Sequence, residues 1–468
     1  MIFQPKHIKK TEGVFRVPQK VCAVAHPCLQ RPVLRELWEG FTLGTSVLTA
    51  VECDAYLFSV GGVKPLPPDG EEYSIRIEPH GVSVYAETEK NLIRGFMTLL
   101  DRLTAAEQGG KTVMEAECCE ILDSASIGCR MVHFCVFPET ATLELRRLVR
   151  LAAALRYTHI ILEFWGTLRY DCLRELSWPQ APERDEIRRI LTEARELGLE
   201  IVPMFNHWGH ASGSRIMHGK HVVLDQSPAL ATYFSEDGWC WDIRKPRVRA
   251  LLRRIRAELC ELCGEGSYFH VGCDEAFGFD FTEESMDFIT DFLNEISDEM
   301  KAKGRRIIAW GDMLLARHPH YSKSNIYTCN APSPEAEQSM LTRLKRDIVI
   351  ADWQYDAVHA PVETASVFKR AGFDTLLCPY DKGVAQLDAC VDTAREEGLL
   401  GILHTTWHTL SSGMPFVLLC AVRCLEEGNR MPQPAAYTKT AALLRHVMPA
   451  HGSYERAGWS REQVGFRW

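Results

Sequence analysis

The strongest constraint on the fold is a pattern of strand, loop and helix that repeats from about residue 121 onwards. Each predicted strand is a short apolar run, and the helices between the strands carry apolar residues three and four positions apart. Strands that alternate with helices favour a parallel sheet, and eight of them predict a (β/α)8 TIM barrel. The predicted strands are Ile127–Cys135, His159–Phe164, Glu200–Phe205, Tyr268–Cys273, Arg306–Gly311, Asp347–Trp353, Phe373–Pro379 and Leu400–Trp407.

A doubly wound open sheet is the alternative fold for the same pattern. It is less favoured, because no glycine-rich phosphate loop follows the first predicted strand. Two further helical segments, Pro415–Glu427 and Gln433–Val447, follow the eighth strand. We therefore expect a barrel domain with closing helices over residues 121–468.

The first 120 residues follow a different pattern. Tyr73–Glu78 alternates between apolar and polar residues, residues 79–81 contain the proline and glycine of a turn, and Val82–Ala86 is again extended. This pattern predicts a β-hairpin. The apolar spacing of Thr88–Leu103 then predicts a helix. We therefore expect a small α+β domain over residues 1–120.

The composition excludes several kinds of partner. The chain has 468 residues, of which 25% are charged, and its net charge of −9 comes from acids and bases that are mixed along the chain. No basic block suggests nucleic acid, and no apolar run is long enough to span a bilayer or to form a secretory leader. We therefore expect neither nucleic acid nor a membrane as a partner.

The cysteines favour a reducing location. There are 17 of them, an odd number, and they are scattered over predicted helices and strands. This distribution argues against a disulfide framework and for a cytoplasmic protein. Cys260 and Cys263 have zinc-like spacing, but no second pair follows them. We therefore expect no metal and no organic cofactor.

Two adjacent carboxylates end the fourth predicted strand, in the stretch His270–Glu275 with the sequence His-Val-Gly-Cys-Asp-Glu. Adjacent acids at the end of a buried strand repel each other and lose hydration, which folds tolerate mainly where the pair has a chemical role. The structural alternative is a surface pair that caps the next helix. Because barrel enzymes build their sites at the C-terminal ends of their strands, we predict that Asp274 and Glu275 are catalytic.

The other predicted strand ends carry histidines, aromatic residues and further polar groups. Because the C-terminal ends of parallel strands meet at one rim, we expect these side chains to line one cleft. Flat aromatic faces beside paired acids suit a sugar, because C–H groups stack on the rings while the acids act on the glycosidic oxygen. The strand-end residues are Arg130, His133, Glu163, Asn206, His210, Trp310, Asp312, Trp353, Tyr355 and Trp407.

Together these motifs resemble those of glycoside hydrolase family 20, the β-N-acetylhexosaminidases. His270–Glu275 is similar to the family's His-x-Gly-Gly-Asp-Glu strand, with Cys273 at the second glycine, and Tyr73–Leu103 resembles its small N-terminal domain. The strand-end tryptophans and tyrosine stand where the family has its aromatic cage. Arg130 and His210 match the family's first-strand arginine and third-strand Gly-His.

The resemblance implies an exo-acting, retaining enzyme that releases terminal β-linked GlcNAc or GalNAc from glycans or glycoconjugates. The substrate's own acetamido group would form an oxazoline intermediate. The resemblance implies that Glu275 is the acid and base, that Asp274 accepts the acetamido N–H, and that Tyr355 donates to the acetamido carbonyl. It implies substrate contacts from Arg130, Glu163, His210, Trp310, Trp353 and Trp407.

The sequence departs from the family at three places, one of which is His133–Cys135, where a sequence that contains aspartate is common. Glu163 stands where a segment with histidine and aspartate is usual, and Thr409 stands where a carboxylate that binds a distal sugar hydroxyl is common. Two alternative functions stay open. One is a hydrolase of 2-acetamido sugars like those of family 84, whose acid pair is two aspartates rather than Asp274 and Glu275. The other is a sugar-binding protein that has lost catalysis, which the retained acid pair opposes.

Overall fold

A computed structural model describes residues 1–24, 27–49, 57–60, 72–137, 140–212, 223–277, 279, 282–318, 328–407 and 410–448. In these residues the chain forms an N-terminal mixed sheet with two α-helices, followed by a closed parallel barrel. The predicted fold class, a TIM barrel preceded by a small α+β domain, is confirmed.

The N-terminal sheet has eight described strands in the order β1-β8-β5-β6-β4-β2-β3, and β7 also pairs with β8. The predicted hairpin is confirmed, because β5 and β6 pair antiparallel with Ile77 opposite Val82. The predicted helix is α2, whose first turn is capped by the Thr88 hydroxyl. The elements are β1 His7–Arg16, β2 Lys20–Val24, α1 Pro32–Phe41, β3 Val47–Thr49, β4 Leu57–Val60, β5 Tyr73–Glu78, β6 Gly81–Tyr85, α2 Glu89–Arg102, β7 Thr104–Gln108 and β8 Lys111–Asp123.

Eight parallel strands close the barrel, and each lies beside its neighbour in sequence until β16 pairs with β9. Every predicted strand contains the observed one. The extra residues at most of the C-terminal ends turn into loops, and these loops carry the site described below. The strands are β9 Cys129–Cys135, β10 His159–Glu163, β11 Glu200–Met204, β12 Tyr268–Gly272, β13 Arg306–Trp310, β14 Val349–Asp352, β15 Thr375–Leu377 and β16 Gly401–His404.

Helices separate the strands of the barrel, as the repeating sequence pattern predicts. The predicted helix Pro415–Glu427 begins earlier, at Leu410, and includes Pro415 although proline lacks the N–H of a helix interior. None of the described helices is long and apolar enough to cross a membrane. The helices are α3 Thr142–Ala154, α4 Arg184–Glu196, α5 Val223–Gln226, α6 Pro246–Cys263, α7 Glu283–Lys301, α8 Pro334–Arg343, α9 Glu363–Arg370, α10 Val384–Glu396, α11 Leu410–Leu425 and α12 Gln433–Val447.

The last helix, α12, packs against the first, α1. A Cβ at Gly40 would lie 2.0 Å from the carbonyl oxygen of His446, so the two helices approach as closely as backbones can. Arg150 of α3 is fully buried beside this contact. Its guanidinium donates to the Glu36 carboxylate of α1 and to the carbonyl oxygen of Val447, the latter at 3.2 Å. The N-terminal domain is thus attached to the end of the barrel domain.

A second buried arginine joins the two units at the start of β10. The Arg156 guanidinium is 2.7 Å from the Asp123 carboxylate of β8 and 3.1 Å from the Thr98 hydroxyl of α2. The Tyr73 hydroxyl of β5 also donates to Asp123, at 2.6 Å. Arg156 and Asp123 are 3% and 4% exposed. The pair is therefore shielded from water, so each charge is stabilised by the other rather than by hydration.

We expect Arg156→Met to lower the free energy of unfolding by about 3–5 kcal/mol, because it leaves the Asp123 carboxylate buried without a cation. Urea unfolding at pH 7 measures the loss. The control is Arg343→Met, which breaks a pair with Asp287 whose two side chains are 36% and 53% exposed. That pair contributes about 0–1 kcal/mol. Equal losses from both variants would contradict the assignment.

Candidate active site

The predicted acid pair lies in a tight turn directly after β12. Gly272, Cys273 and Glu275 have positive φ angles of 67°, 76° and 44°. At the two non-glycine residues this left-handed backbone costs roughly 1–2 kcal/mol each. Such strain persists where the surrounding structure enforces it, often at functional sites. The turn therefore fixes the directions in which the Asp274 and Glu275 side chains leave the strand.

The loop after β11 holds this turn in place through backbone contacts. A Cβ at Gly209 would lie 1.9 Å from the carbonyl oxygen of Asp274, so only glycine fits there. The His207 N–H also donates to the carbonyl oxygen of Val271, at 2.9 Å. Contacts between backbone atoms leave little room for the turn to shift.

His210 contacts both carboxylates, as the prediction of a shared site requires. Its Nε2 lies 2.9 Å from Oε2 of Glu275 and 3.5 Å from Oδ2 of Asp274. The imidazole packs on the Trp239 ring, with 4.6 Å between the ring centroids. The Trp239 indole N–H donates to the carbonyl oxygen of Glu275. Sequence reasoning missed Trp239, because this residue lies in the long connection between β11 and α6 rather than at a strand end.

Asp274 has one carboxylate oxygen without a partner. The residue is 7% exposed, and its Oδ1 has no hydrogen-bond partner among the described residues. Burial raises the pKa of Asp274 to about 6; His210 opposes this shift, and the charges of Glu275 and Glu163 add to it. A buried acceptor without a donor is costly. Oδ1 is thus available to an N–H or O–H group of a bound molecule.

Asp312, two residues after β13, holds the acid pair in place through hydrogen bonds. Its carboxylate accepts the backbone N–H of Glu275 at 2.9 Å, the Asn330 amide at 3.0 Å and the Trp353 indole N–H at 3.2 Å. Burial and the neighbouring Asp274 raise the pKa of Asp312 well above its usual range. The sequence places Asp312 at a strand end but assigns it no role. The structure shows that Asp312 connects Trp353 to the tight turn of Gly272–Glu275, which we call the acid turn.

The predicted aromatic residues come together on the other side of the site. The Trp407 indole N–H donates to the Tyr355 hydroxyl at 2.6 Å, and the Thr405 hydroxyl lies 3.1 Å from the same oxygen. The Trp353 and Tyr355 rings are 5.2 Å apart, and those of Trp310 and Trp407 are 5.8 Å apart. Burial raises the pKa of Tyr355 well above its usual range, so its hydroxyl keeps its proton. The substrate contacts of these rings stay predictions.

The structure does not bring Arg130, which the sequence predicts to bind substrate, to the acid pair. Arg130 lies near the start of β9, at the opposite end of the barrel from the acid pair. Its neighbour Met131 faces the barrel interior, so Arg130 faces outward. Its guanidinium donates to the carbonyl oxygens of Ile127, Gly128 and Arg156, at 2.8, 3.0 and 3.0 Å. Arg130 therefore holds together the segments that precede β9 and β10.

Glu163 lies at the predicted rim, but it does not face a cleft. It is fully buried, and its two carboxylate oxygens bind the His133 imidazole at 2.9 Å and the Asn206 amide at 2.8 Å. Its carboxylate is therefore held by protein groups rather than open to a substrate. Thr409, another departure from the family pattern, lies outside the described residues.

The described residues contain one cluster whose side chains could hold a metal ion. His210, Asp274 and Glu275 bring possible ligand atoms within 4.8 Å of one another. The hydrogen bond between His210 and Glu275 accounts for the same arrangement without an ion. That the protein needs neither metal nor cofactor stays a prediction.

The acids Asp274 and Glu275 lie beside His210, and the rings of Trp310, Trp353, Tyr355 and Trp407 form an aromatic wall. Such a site at the C-terminal ends of the strands of a (β/α)8 barrel is the arrangement expected of a glycoside hydrolase. Residues 181–408 match the glycosyl hydrolase family 20 catalytic domain. Just under half of the chain therefore matches the catalytic domain of this family.

One curated relative is a lacto-N-biosidase from Bifidobacterium bifidum. It is 23% identical over 180 residues, which is 35% of this chain and 16% of the relative. The match therefore covers only a small part of the relative's length.

Solved structures of family 20 enzymes share the fold over nearly the whole chain. A β-N-acetylhexosaminidase from Bacteroides fragilis has a TM-score of 0.66 and 17% identity, with 98% of this chain and 97% of that chain covered. An exo-β-N-acetylglucosaminidase from Vibrio harveyi, in complex with N-acetylglucosamine, has a TM-score of 0.67 and 16% identity, with 95% and 77% covered.

We expect Asp274→Asn to stabilise the folded protein at pH 8 and to leave its stability nearly unchanged at pH 4. The pKa of Asp274 rises from 3.8 to about 6 on folding, so the folded state binds this proton more tightly. Stability is therefore lost as the pH rises through this window. The asparagine cannot ionise and avoids that loss, which amounts to about 1–3 kcal/mol.

Urea unfolding of both proteins at the two pH values measures this difference. The control is Asp356→Asn at an exposed position, where neither pH should distinguish the variant from the parent protein. A gain from Asp274→Asn that is the same at pH 4 and pH 8 would contradict the cause given.

Proposed function

We propose that this protein is an exo-acting, retaining β-N-acetylhexosaminidase that removes terminal β-linked GlcNAc or GalNAc from glycans or glycoconjugates. The observation that carries the proposal is the buried, unpartnered Oδ1 of Asp274 beside Glu275. An acceptor of this kind suits the N–H of a 2-acetamido group, which a plain hexose lacks. The family assignment of residues 181–408 supports the same substrate class.

In the proposed reaction, the acetamido carbonyl oxygen of the substrate attacks the anomeric carbon. Glu275 gives its proton to the departing glycosidic oxygen, and a cyclic oxazoline intermediate forms. Glu275 then takes a proton from a water molecule, which attacks the anomeric carbon and reopens the ring. Two inversions leave the configuration retained. The His210 Nε2 atom lies 2.9 Å from the Glu275 carboxyl group, and the hydrogen bond between them orients that group.

Asp274 and Tyr355 hold the acetamido group from opposite ends. The Asp274 carboxylate accepts the N–H and stabilises the positive charge that develops on nitrogen, and burial strengthens this interaction. The Tyr355 hydroxyl donates to the carbonyl oxygen. The Tyr355 hydroxyl accepts the Trp407 indole N–H, so its own proton can be donated either to the Thr405 hydroxyl, 3.1 Å away, or to the substrate.

The first test compares release of nitrophenol from the β-N-acetylglucosaminide, the β-N-acetylgalactosaminide and the plain β-glucoside. We expect cleavage of at least one acetamido sugar and none of the glucoside, because the glucoside has no internal nucleophile. Cleavage of the glucoside would overturn substrate assistance. If all three stay intact, binding of an oxazoline-mimicking thiazoline decides. Affinity equal to that for N-acetylglucosamine would support a protein that has lost catalysis.

A second test separates the two acids. Glu275→Gln should lose most activity on poor leaving groups and least on activated aryl glycosides, because acid assistance matters most for a poor leaving group. Asp274→Asn should lose activity by roughly 10²–10³-fold on both kinds of substrate, since it removes a charge that acts in the transition state. Steady-state kinetics with a series of aryl leaving groups measures both effects.

Glu284→Gln, at an exposed position of α7, is the control and should leave kcat/KM unchanged. Small and equal losses from Glu275→Gln and Asp274→Asn would argue against these roles. They would favour the alternative of a different 2-acetamido-sugar hydrolase, in which other residues carry the chemistry.

A further inference from the structure

Glu163 is a buried carboxylate that the proposed reaction does not use. It ends β10, its side chain is 0% exposed, and the ion pairs of the described residues give it no lysine or arginine partner. Burying a carboxylate without a cation is costly even when its oxygens are hydrogen-bonded. A hydrophobic side chain would fill this place in the barrel at a lower cost, so the position of the charge requires an explanation.

One oxygen of Glu163 is connected to the acid turn through Asn206. The Asn206 amide donates to Glu163 Oε1 at 2.8 Å. Its other end lies against Gly272, where an added Cβ would be 1.7 Å from the Asn206 side-chain oxygen. Gly272 begins the turn that carries Asp274. Whatever fixes the Asn206 amide therefore fixes the start of that turn.

The other oxygen of Glu163 is connected to the aromatic wall through His133. The two side chains are joined by a hydrogen bond of 2.9 Å. The His133 ring packs on the Trp407 ring, with 4.7 Å between centroids, and the His133 carbonyl oxygen accepts the Thr406 hydroxyl at 2.8 Å. Trp407 in turn donates to Tyr355. This arm ends on the residue that would bind the acetamido carbonyl.

We propose that Glu163 is a positioning residue that fixes the acid turn through Asn206 and the aromatic wall through His133, and so sets the spacing between Asp274 and Tyr355. The inference rests on the proposed function, because that spacing matters only if both residues hold one acetamido group. In this role Glu163 does not contact the substrate itself and positions the site through its two neighbours.

The charge of Glu163 has a second effect, on the ionisation of Asp274. It raises the pKa of Asp274, together with burial and Glu275, against the opposing effect of His210. Removing the charge of Glu163 should therefore lower this pKa, whereas removing only the Asn206 contact should leave it unchanged. The titratable groups that surround Asp274 are Glu163 of β10, His210 after β11, Cys273 and Glu275 of its own turn, Asp312 after β13 and Tyr355 after β14.

The test uses Glu163→Gln, which keeps the size of the side chain and removes its charge. We expect kcat for the acetamido substrate to fall by on the order of 10²-fold with little change in KM, because misplaced reacting groups slow the chemical step more than binding. The acidic limb of the pH profile should move to lower pH, since Asp274 ionises more easily. Asn206→Ala should lower kcat without moving that limb, because it keeps the charge.

The matched control is Asp352→Asn. Asp352 is a buried carboxylate at the end of β14, and burial raises its pKa to about 6. Its oxygens bind Thr364 and Gln354, so neither arm of the Glu163 network includes it. We expect this variant to keep the parent's acidic limb. Thermal unfolding of all variants identifies any that fail to fold.

A readout without substrate separates this inference from the proposed function. With ¹³C in the aspartate side-chain carboxyl groups, the Asp274 signal is assigned by its loss in Asp274→Asn and then titrated. A lower pKa in Glu163→Gln and an unchanged pKa in Asn206→Ala support the inference, even if no acetamido sugar is cleaved. The same pKa in Glu163→Gln and in the parent protein overturns it, as does an unchanged kcat in an active enzyme.

Discussion

The site depends on one constraint, the contact between the backbones of the loops after β11 and β12. Gly209 lies against the carbonyl oxygen of Asp274, and Asn206 lies against Gly272, so a side chain at either glycine would push the loops apart. Because backbone atoms set this distance, the acid pair does not rely on the rotamers of flexible side chains. The left-handed angles at Cys273 and Glu275 are the energetic consequence of fitting the turn into that space.

Three of the buried carboxylates at this end of the barrel, Asp274, Asp312 and Glu163, are hydrogen-bonded by backbone, amide and ring N–H groups rather than by lysine or arginine. Asp312 receives three N–H donors and Glu163 receives two. Asp274 is the incomplete member, since its Oδ1 has no partner in the described part of the chain. Donors that are fixed by the fold need no reorganisation when charge develops, which is how such sites lower a barrier. The incomplete shell indicates where a ligand belongs.

The sequence was enough to predict the barrel and the position of the acid pair, because apolar runs mark the strands and strand ends mark the rim. It misplaced Arg130 for a physical reason. Nearly every residue of β9 is buried, so the alternation that distinguishes the inner face from the outer face is absent. The partners of Glu163 come from β9 and the loop after β11, contacts that only the closed barrel creates. Trp239 lies in a long connection, where spacing carries no information about position.

The contact between α1 and α12 has a consequence for how the molecule comes apart. Gly40 and Arg150 tie the small domain to the final helix, while Arg156 ties its sheet to the strand wall of the barrel. The small domain is therefore held at two separate places, by elements far apart along the chain. Neither unit can open without exposing the charges that the other one neutralises. We therefore expect the two units to unfold together, so that a change at the α1–α12 contact also affects the stability of the catalytic end.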